Sequence, residues 1–171
     1  MFVFSLILIA VLAVVDQLIK YIVVQNIQLY DVIDVIKIGS HKIFSLTHIR
    51  NSGAAWSIMS GKSWFLIGLP IVVIALGIYY LFKIRKKSKF EIITLAMLIS
   101  GGIGNLIDRI RFNEVVDYIQ FNPINFPVFN FADICVVVGG ILFCFHFIVV
   151  EELRKHKEKR TDLAENSDAK S

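Results

Sequence analysis

Two aspartates define the chemistry this sequence can perform. Asp117 sits in Val115-Val116-Asp117-Tyr118-Ile119 and Asp133 in Phe129-Asn130-Phe131-Ala132-Asp133. On one continuous helix their separation would span ~24 Å at 1.5 Å per residue, too far to cooperate. Pro123 and Pro127 lie between them, alongside Asn122 and Asn125. Proline breaks a regular helix, so the chain can loop out and return with the two carboxylates together. Two close carboxylates share one proton, because like charges ~3 Å apart cannot both ionise. One can then take a proton from water while the other gives one to the carbonyl oxygen or leaving nitrogen of an amide. Such hydrolysis needs neither a metal nor a nucleophilic side chain. Each aspartate also has a purely structural alternative. Asn130 can cap a helix with Asp133 at its N3 position, as in a capping box, and Asp117 can be an ordinary loop acid.

A second set of polar residues lies in apolar sequence. Asp16 and Lys20 are four apart and share a helix face, with the acid N-terminal as a good pair requires. They read either as a self-neutralised pair or as a brace for a nearby site. Ala96, Ser100 and Gly104 form a small-residue stripe at i, i+4, i+8, which permits close helix contact. Asp108 continues that stripe, and Arg109 follows Asn105 by four. Packing alone explains the glycines. It explains Asp108 less well, because an acid is unfavourable at a helix C-terminus.

The elements that must position these groups follow from composition. The chain has 171 residues, of which 56% are hydrophobic, with 18 Lys plus Arg against 14 Asp plus Glu. Its mean hydropathy is +0.69 and its pI about 9.1. Disorder, which needs few apolar residues, is excluded, and a membrane protein is indicated. Four stretches are long enough to cross a bilayer, at about 2–24, 64–82, 90–107 and 131–150. Pro70 inside the second is tolerable within a bundle. The first lacks a basic start and a small-residue cleavage site, so it reads as a retained span.

Lys83-Ile84-Arg85-Lys86-Lys87-Ser88-Lys89 and the run Arg154, Lys155, Lys157, Lys159 and Arg160 set the orientation by the positive-inside rule. Both termini are expected in the cytoplasm, with residues 25–63 and 108–130 facing outward. The basic excess is then topological, and no nucleic-acid partner is needed. Residues 1–150 are read as one four-helix membrane domain and 151–171 as a charged cytoplasmic tail, disordered from Thr161. Two β-branched runs within 32–49, separated by Gly39-Ser40, predict an outer hairpin. Trp56 and Trp64 suit the outer aromatic belt, and Tyr79 and Tyr80 the inner one. Cys135 and Cys144 read as buried apolar residues of the fourth span.

Taken in order, five segments resemble the lipoprotein signal peptidase (signal peptidase II) family over roughly residues 10–145. They are Asp16-Gln17-Leu18-Ile19-Lys20, Asn51-Ser52-Gly53-Ala54-Ala55-Trp56, Gly101 through Arg109, Val115-Val116-Asp117-Tyr118 and Phe129-Asn130-Phe131-Ala132-Asp133. Ile103 is a departure, since a smaller residue is expected there. The resemblance implies an α-helical membrane protein with four transmembrane helices and a small extracytoplasmic β-sheet between the first and second. It implies an aspartic endopeptidase of the bacterial cytoplasmic membrane that removes the signal peptide from prolipoproteins. The cut falls just before a diacylglyceryl-modified cysteine. Asp117 and Asp133 match the catalytic pair. Asn51, Gly53, Gly104, Asn105, Asp108, Arg109, Asn130 and Ala132 match positions that line or brace the site, and Asp16 and Lys20 match its supporting pair. Expected partners are lipid-modified prolipoproteins and membrane phospholipid, with a monomeric enzyme, no cofactor or metal, and inhibition by globomycin-type cyclic peptides.

Two other classes remain open on the residues alone. A transporter subunit or scaffold explains the stripe and the Asp16–Lys20 pair but not the two further aspartates. A metal-dependent lipid transferase would want acids clustered along one helix. Gly61-Lys62-Ser63 resembles the end of a P-loop, but Trp56 stands where a glycine is required. No G-x-S-x-G or H-E-x-x-H occurs, and the four histidines are scattered.

Overall fold

The computed structural model describes residues 1–53, 63–86 and 88–168. Helix α1 (Phe2–Asn26) is followed by β1 (Val32–Ile38) and β2 (His41–Asn51), then α2 (Ser63–Lys83) and α3 (Lys89–Phe112). Strand β3 (Val115–Phe121) and helix α4 (Phe131–Asp168) complete the chain. Four helices are long and apolar enough to cross a membrane: Phe2–Asn26, Trp64–Lys83, Lys89–Phe112 and Phe131–Val150.

Helix α3 is the centre of the bundle, packing against α1, α2 and α4. Apolar side chains gain nothing by leaving lipid for one another, so close backbone approach must hold such helices together. Ala96, Ser100, Gly104 and Asp108 are all buried along α3. A Cβ on Gly101 would run into the Ala132 carbonyl and Val136 of α4. One on Gly139 of α4 would lie 2.8 Å from the Thr94 carbonyl oxygen of α3. The α3–α4 seam is therefore closed by glycines on both sides. Helix α2 continues through Pro70 and exposes Leu69, Val72 and Leu76 along its length, as a lipid-facing helix does. Ile103, the departure noted in the sequence, packs against the apolar cluster of Ile9, Leu81, Ile92 and Ile99.

The three strands form one antiparallel sheet in the order β1-β2-β3. The β1–β2 turn uses Gly39 at φ 59°, a left-handed conformation that glycine adopts without cost. Asp34 pairs with Lys42 across the strands at 2.9 Å and with Lys37 on its own strand at 3.1 Å, and accepts from the Ser45 hydroxyl of β2 at 3.0 Å. These contacts, Lys42 foremost, hold the Asp34 carboxyl down at about 2. The sheet sits over the C-terminal end of α1, where Val23, Ile27, Val116 and Tyr118 form a second apolar cluster.

Several expectations need correction. The third helix does not stop at 107 but runs to Phe112, closed by Asn113 in the left-handed conformation at φ 57°. Asp108 and Arg109 thus lie on a regular helical face. The segment expected to be loop contains β3, because Val115, Val116 and Tyr118 are buried against α1 and pair with β2. The tail read as disordered from Thr161 is helical to Asp168, continuous with α4. Its Glu, Lys, Arg, Leu and Ala content favours helix, and Glu151 stands four before Lys155. Tyr79 faces outward, but Tyr80 turns inward to donate to Glu91 at 3.3 Å and to pack on Phe143. Cys135 is buried, whereas Cys144 is exposed on the helix surface. Trp56 and the Gly61-Lys62 pair lie outside the described residues.

Candidate active site

The first turn of α4 meets α1, α3 and β3 at the sheet end of the bundle, and the polar residues gather there. The first N–H groups of any α-helix lack intrahelical partners. Here each of the first three finds one. The Phe131 N–H donates to the Tyr118 hydroxyl at 3.1 Å. The Ala132 N–H donates to Asp16 Oδ1 at 3.0 Å, and the Asp133 N–H to Asn130 Oδ1 at 3.0 Å. Asp133 Oδ2 in turn accepts from the Asn130 N–H at 3.1 Å. The reciprocal capping box is thus formed, and it leaves Asp133 on the wall of a cavity. The structural and chemical readings of Asp133 are compatible.

Asp117 arrives from β3. Its register partner on β2 is Ile49, so Asn51, two residues further along β2, shares its face of the sheet. Asn51 Nδ2 donates to Asp117 Oδ2 at 2.8 Å, and Asn130 Nδ2 donates to Oδ1 at 2.7 Å. Asn130 is therefore bonded to both acids. Its amide orientation is fixed, because its oxygen must face the Asp133 N–H. The carboxyl of Asp117 is 3% exposed. Burial pushes it up to about 6, and neighbouring Asp133 adds to the rise, against the hydrogen bonds from Asn51 and Asn130.

Beneath the two acids lies a buried charge network. Lys20 Nζ sits 2.9 Å from Asp16 Oδ2, 3.0 Å from Asp108 Oδ2 and 3.0 Å from Asn105 Oδ1. With its oxygen claimed by Lys20 and by Asn130 at 3.1 Å, Asn105 must turn its amide nitrogen to Asp133 Oδ1, at 2.7 Å. Asp108 Oδ2 also accepts from the Val116 N–H at 3.2 Å, tying α3 to β3 one residue before Asp117. Gly104 is the point of closest approach: a Cβ there would lie 2.5 Å from Asp16 Oδ2. Arg109 donates to the Gly53 carbonyl at 3.1 Å, and the Gly53 N–H donates to Asn51 Oδ1 at 2.9 Å.

Asn51, Asn105, Arg109, Asp117 and Asp133 all line one cavity of about 490 Å³. Its other walls are apolar, among them Val115, Phe126, Phe129, Ile134 and Val137. Ile134, Val137 and Val138 are also exposed on the outside of α4, so the cavity opens beside a lipid-facing surface. Asp16, Lys20, Gly104, Asp108, Asn130 and Ala132 stand behind the wall as its frame. Among the described residues no three His, Cys, Asp or Glu side chains are grouped as metal ligands. Sequence reading missed two participants. Gln17 donates to Asp108 Oδ1 at 2.9 Å, to the Gly104 carbonyl at 3.1 Å and to Asp16 Oδ2 at 3.3 Å. Tyr118 is the other. Gln17 lies between two charged residues on a lipid-depth helix, a placement that already marks an uncharged polar side chain for attention.

A four-helix membrane bundle with a small sheet over a carboxylate-lined cavity is the architecture of a multi-pass membrane enzyme. Two solved structures are similar to this chain in fold, each described as a bacterial membrane enzyme. One superposes with a TM-score of 0.76 at 32% identity, covering 91% of this chain and 90% of that one. The other gives 0.71 at 32% identity, covering 84% and 91%. The family model for signal peptidase (SPase) II matches residues 8–149. The lipoprotein signal peptidase of Enterococcus faecalis is 40% identical over 153 residues, 90% of this chain and 92% of that protein. That of Lactococcus lactis is 41% identical over 150 residues, 88% and 97%. The chain belongs to the signal peptidase II family, and is a membrane peptidase.

Proposed function

We propose that this protein is an aspartic endopeptidase that removes the signal peptide from diacylglyceryl-modified prolipoproteins, cutting just before the lipidated cysteine. The observation that carries the reading is the placement of Asp117 and Asp133 on one largely apolar cavity beside the lipid-facing surface of α4. The relatives, lipoprotein signal peptidases, support the substrate class. A cysteine bearing acyl chains stays with the lipid, so the attacking water must be delivered at that depth.

In the resting pair one carboxyl is protonated and one ionised. The ionised carboxylate takes a proton from water as the water oxygen bonds to the scissile carbonyl carbon. The protonated partner gives its proton to the carbonyl oxygen. Collapse of the tetrahedral diol breaks the C–N bond. The nitrogen takes the proton gained from water, and the diol returns its proton to the pair, which regains its single-proton state. Asp133 suits the base, since it lines the cavity with its two oxygens held by the Asn105 side chain and the Asn130 N–H. Asp117, with its raised pKa, suits the acid.

The basic segments at 83–89 and 154–160 support a topology with both termini in the cytoplasm and the cavity at the extracytoplasmic face. Residues 1–150 form the membrane domain and 151–171 a cytoplasmic extension. The enzyme acts as a monomer, and a globomycin-type cyclic peptide competes for the cavity. The test is cleavage of a lipidated prolipoprotein by the parent, Asp117→Asn and Asp133→Asn. Each variant is expected to insert, fold and lose turnover, and the parent to keep its activity in EDTA. Substantial turnover by either variant removes the dyad, and chelator sensitivity points instead to a metal enzyme.

A further inference from the structure

We propose that Tyr118 is a positioning residue for the carboxylate pair, its hydroxyl fixing the angle between the strand that carries Asp117 and the helix that carries Asp133. The inference rests on the dyad proposed above. Successive side chains of a strand point to opposite faces. Asp117 therefore faces the cavity, while Tyr118 points into the apolar cluster with Val23 and Ile27, where it is 4% exposed.

Strand β3 and the start of helix α4 are joined at three points. The first is backbone pairing. Tyr118 and Ile119 both donate to the Phe129 carbonyl, at 3.1 and 2.8 Å, and Phe129 donates back to Ile119 at 3.0 Å. That contact places the chain just ahead of the helix but leaves α4 able to pivot about it. The second point is the Tyr118 hydroxyl, which accepts from the Phe131 N–H at 3.1 Å. It lies two residues further along the chain, at the first residue of α4, and acts on the face of β3 opposite to Asp117, so that it resists the tilt of α4 that a bond on the cavity side alone would allow. The third point is the Asn130 side chain, whose oxygen caps the helix while its Nδ2 donates to Asp117 Oδ1 at 2.7 Å and to the Val116 carbonyl at 3.4 Å. Asp16 separately pins Ala132 to α1.

Burial lifts the phenol above its ordinary range, so the oxygen stays a neutral acceptor throughout the working pH range. Phenylalanine would keep the ring and lose only this bond. A misplacement of about 1 Å between reacting groups can cost on the order of 100-fold in rate.

The test is Tyr118→Phe in the full-length chain, purified in detergent and assayed on a diacylglyceryl prolipoprotein. The folded fraction is measured by thermal melting in the same detergent. Per folded molecule, kcat is expected to fall about 10- to 100-fold with KM within about twofold, because the cavity wall is untouched. The alkaline limb of kcat/KM should also move to lower pH, since a looser pair lessens the effect of Asp133 on Asp117. Parental kcat and an unmoved pH limb per folded molecule overturn the proposal, even if the melting temperature drops, because Tyr118 would then serve stability alone. Asp117→Asn and Asp133→Asn are run beside it. Turnover in either defeats the dyad itself, whereas two dead variants beside a parental Tyr118→Phe defeat only the role of Tyr118.

Discussion

Asp16 and Ala132 are 116 residues apart, and the Ala132 N–H donates to Asp16 Oδ1 at 3.0 Å. An acid on the first helix thereby occupies the N-terminus of the fourth, where the partial positive charge of the helix favours it. Its other oxygen faces Lys20, which also serves Asp108. One cation thus bridges two buried carboxylates, and the three residues differ in how much depends on them.

Lys20→Met leaves Asp16 and Asp108 without their cation, and an uncompensated buried charge costs about 3–5 kcal/mol. Asp16→Asn keeps an acceptor for Ala132 but turns an amide nitrogen toward Lys20 and Gln17, at about 1–3 kcal/mol, with Lys20 still held by Asp108. Thermal unfolding in detergent should therefore rank Lys20→Met well below Asp16→Asn. The double variant should recover part of the loss, because the two sites share partners. The reverse ranking would mean that the helix cap, and not the cation, is the keystone.

Two glycines of α3 provide an internal contrast. A Cβ on Gly104 would meet Asp16 Oδ2 at 2.5 Å and the Ala132 Cβ at 3.2 Å, whereas one on Gly102 meets Ile74 Cγ1 at 3.4 Å. Gly104→Ala must push α1 or α4 away from α3, an overpacking cost of about 1–3 kcal/mol that also displaces Asp133. Gly102→Ala should leave melting and turnover near parental values. Equal activity in the two variants would show that the α1–α3–α4 junction has slack.

The parts of the molecule that were legible in sequence are those with a local signature. The spans are long apolar runs, the hairpin has a two-residue Gly39-Ser40 turn, and Asp16 and Lys20 share a face by spacing alone. Strand β3 escaped because its seven residues are fixed by what surrounds them: β2 on one edge, α1 beneath and the Asp108 carboxylate on Val116. None of these contacts is local. The extent of α3 escaped for a related reason. Asp108 looked like a helix-ending acid, and only Lys20 and Gln17, brought in from α1, make it comfortable inside the helix. Tyr118 stands beside Asp117 in a resembling segment, but its hydroxyl's role depends on the Phe131 N–H, a contact that no local pattern announces.

Gln17 is the neutral bridge of the network. Its amide nitrogen lies within reach of both Asp16 and Asp108 and of the Gly104 carbonyl. Gln17→Leu matches the apolar helix face but withdraws the donor from Asp108 Oδ1. A hydrogen bond to a charged group contributes about 1.5–3 kcal/mol. The variant should therefore melt lower by that order, while KM for the lipidated substrate stays near parental, because Gln17 does not line the cavity. A more stable Gln17→Leu would show that lipid-facing packing at this position outweighs the polar bridge.

The pH dependence follows from the sign of the Asp117 shift. Its carboxyl is raised to about 6 in the empty site, chiefly by burial. Below that value the pair holds one proton, and Asp117 has it to give. As pH rises through about 6 Asp117 loses its proton, and the reaction has no acid. The ratio kcat/KM reports the free enzyme, so it should decline on the alkaline side with a midpoint near 6. Bound substrate expels water from the cavity, which penalises the charged form further. The alkaline limb of kcat should therefore lie at higher pH than that of kcat/KM. On the acid side both profiles fall once the second proton binds and the base is gone. Profiles of a lipidated substrate between pH 4 and 9 would check this. A kcat/KM that is flat from pH 5 to 8 would show that Asp117 does not supply the proton.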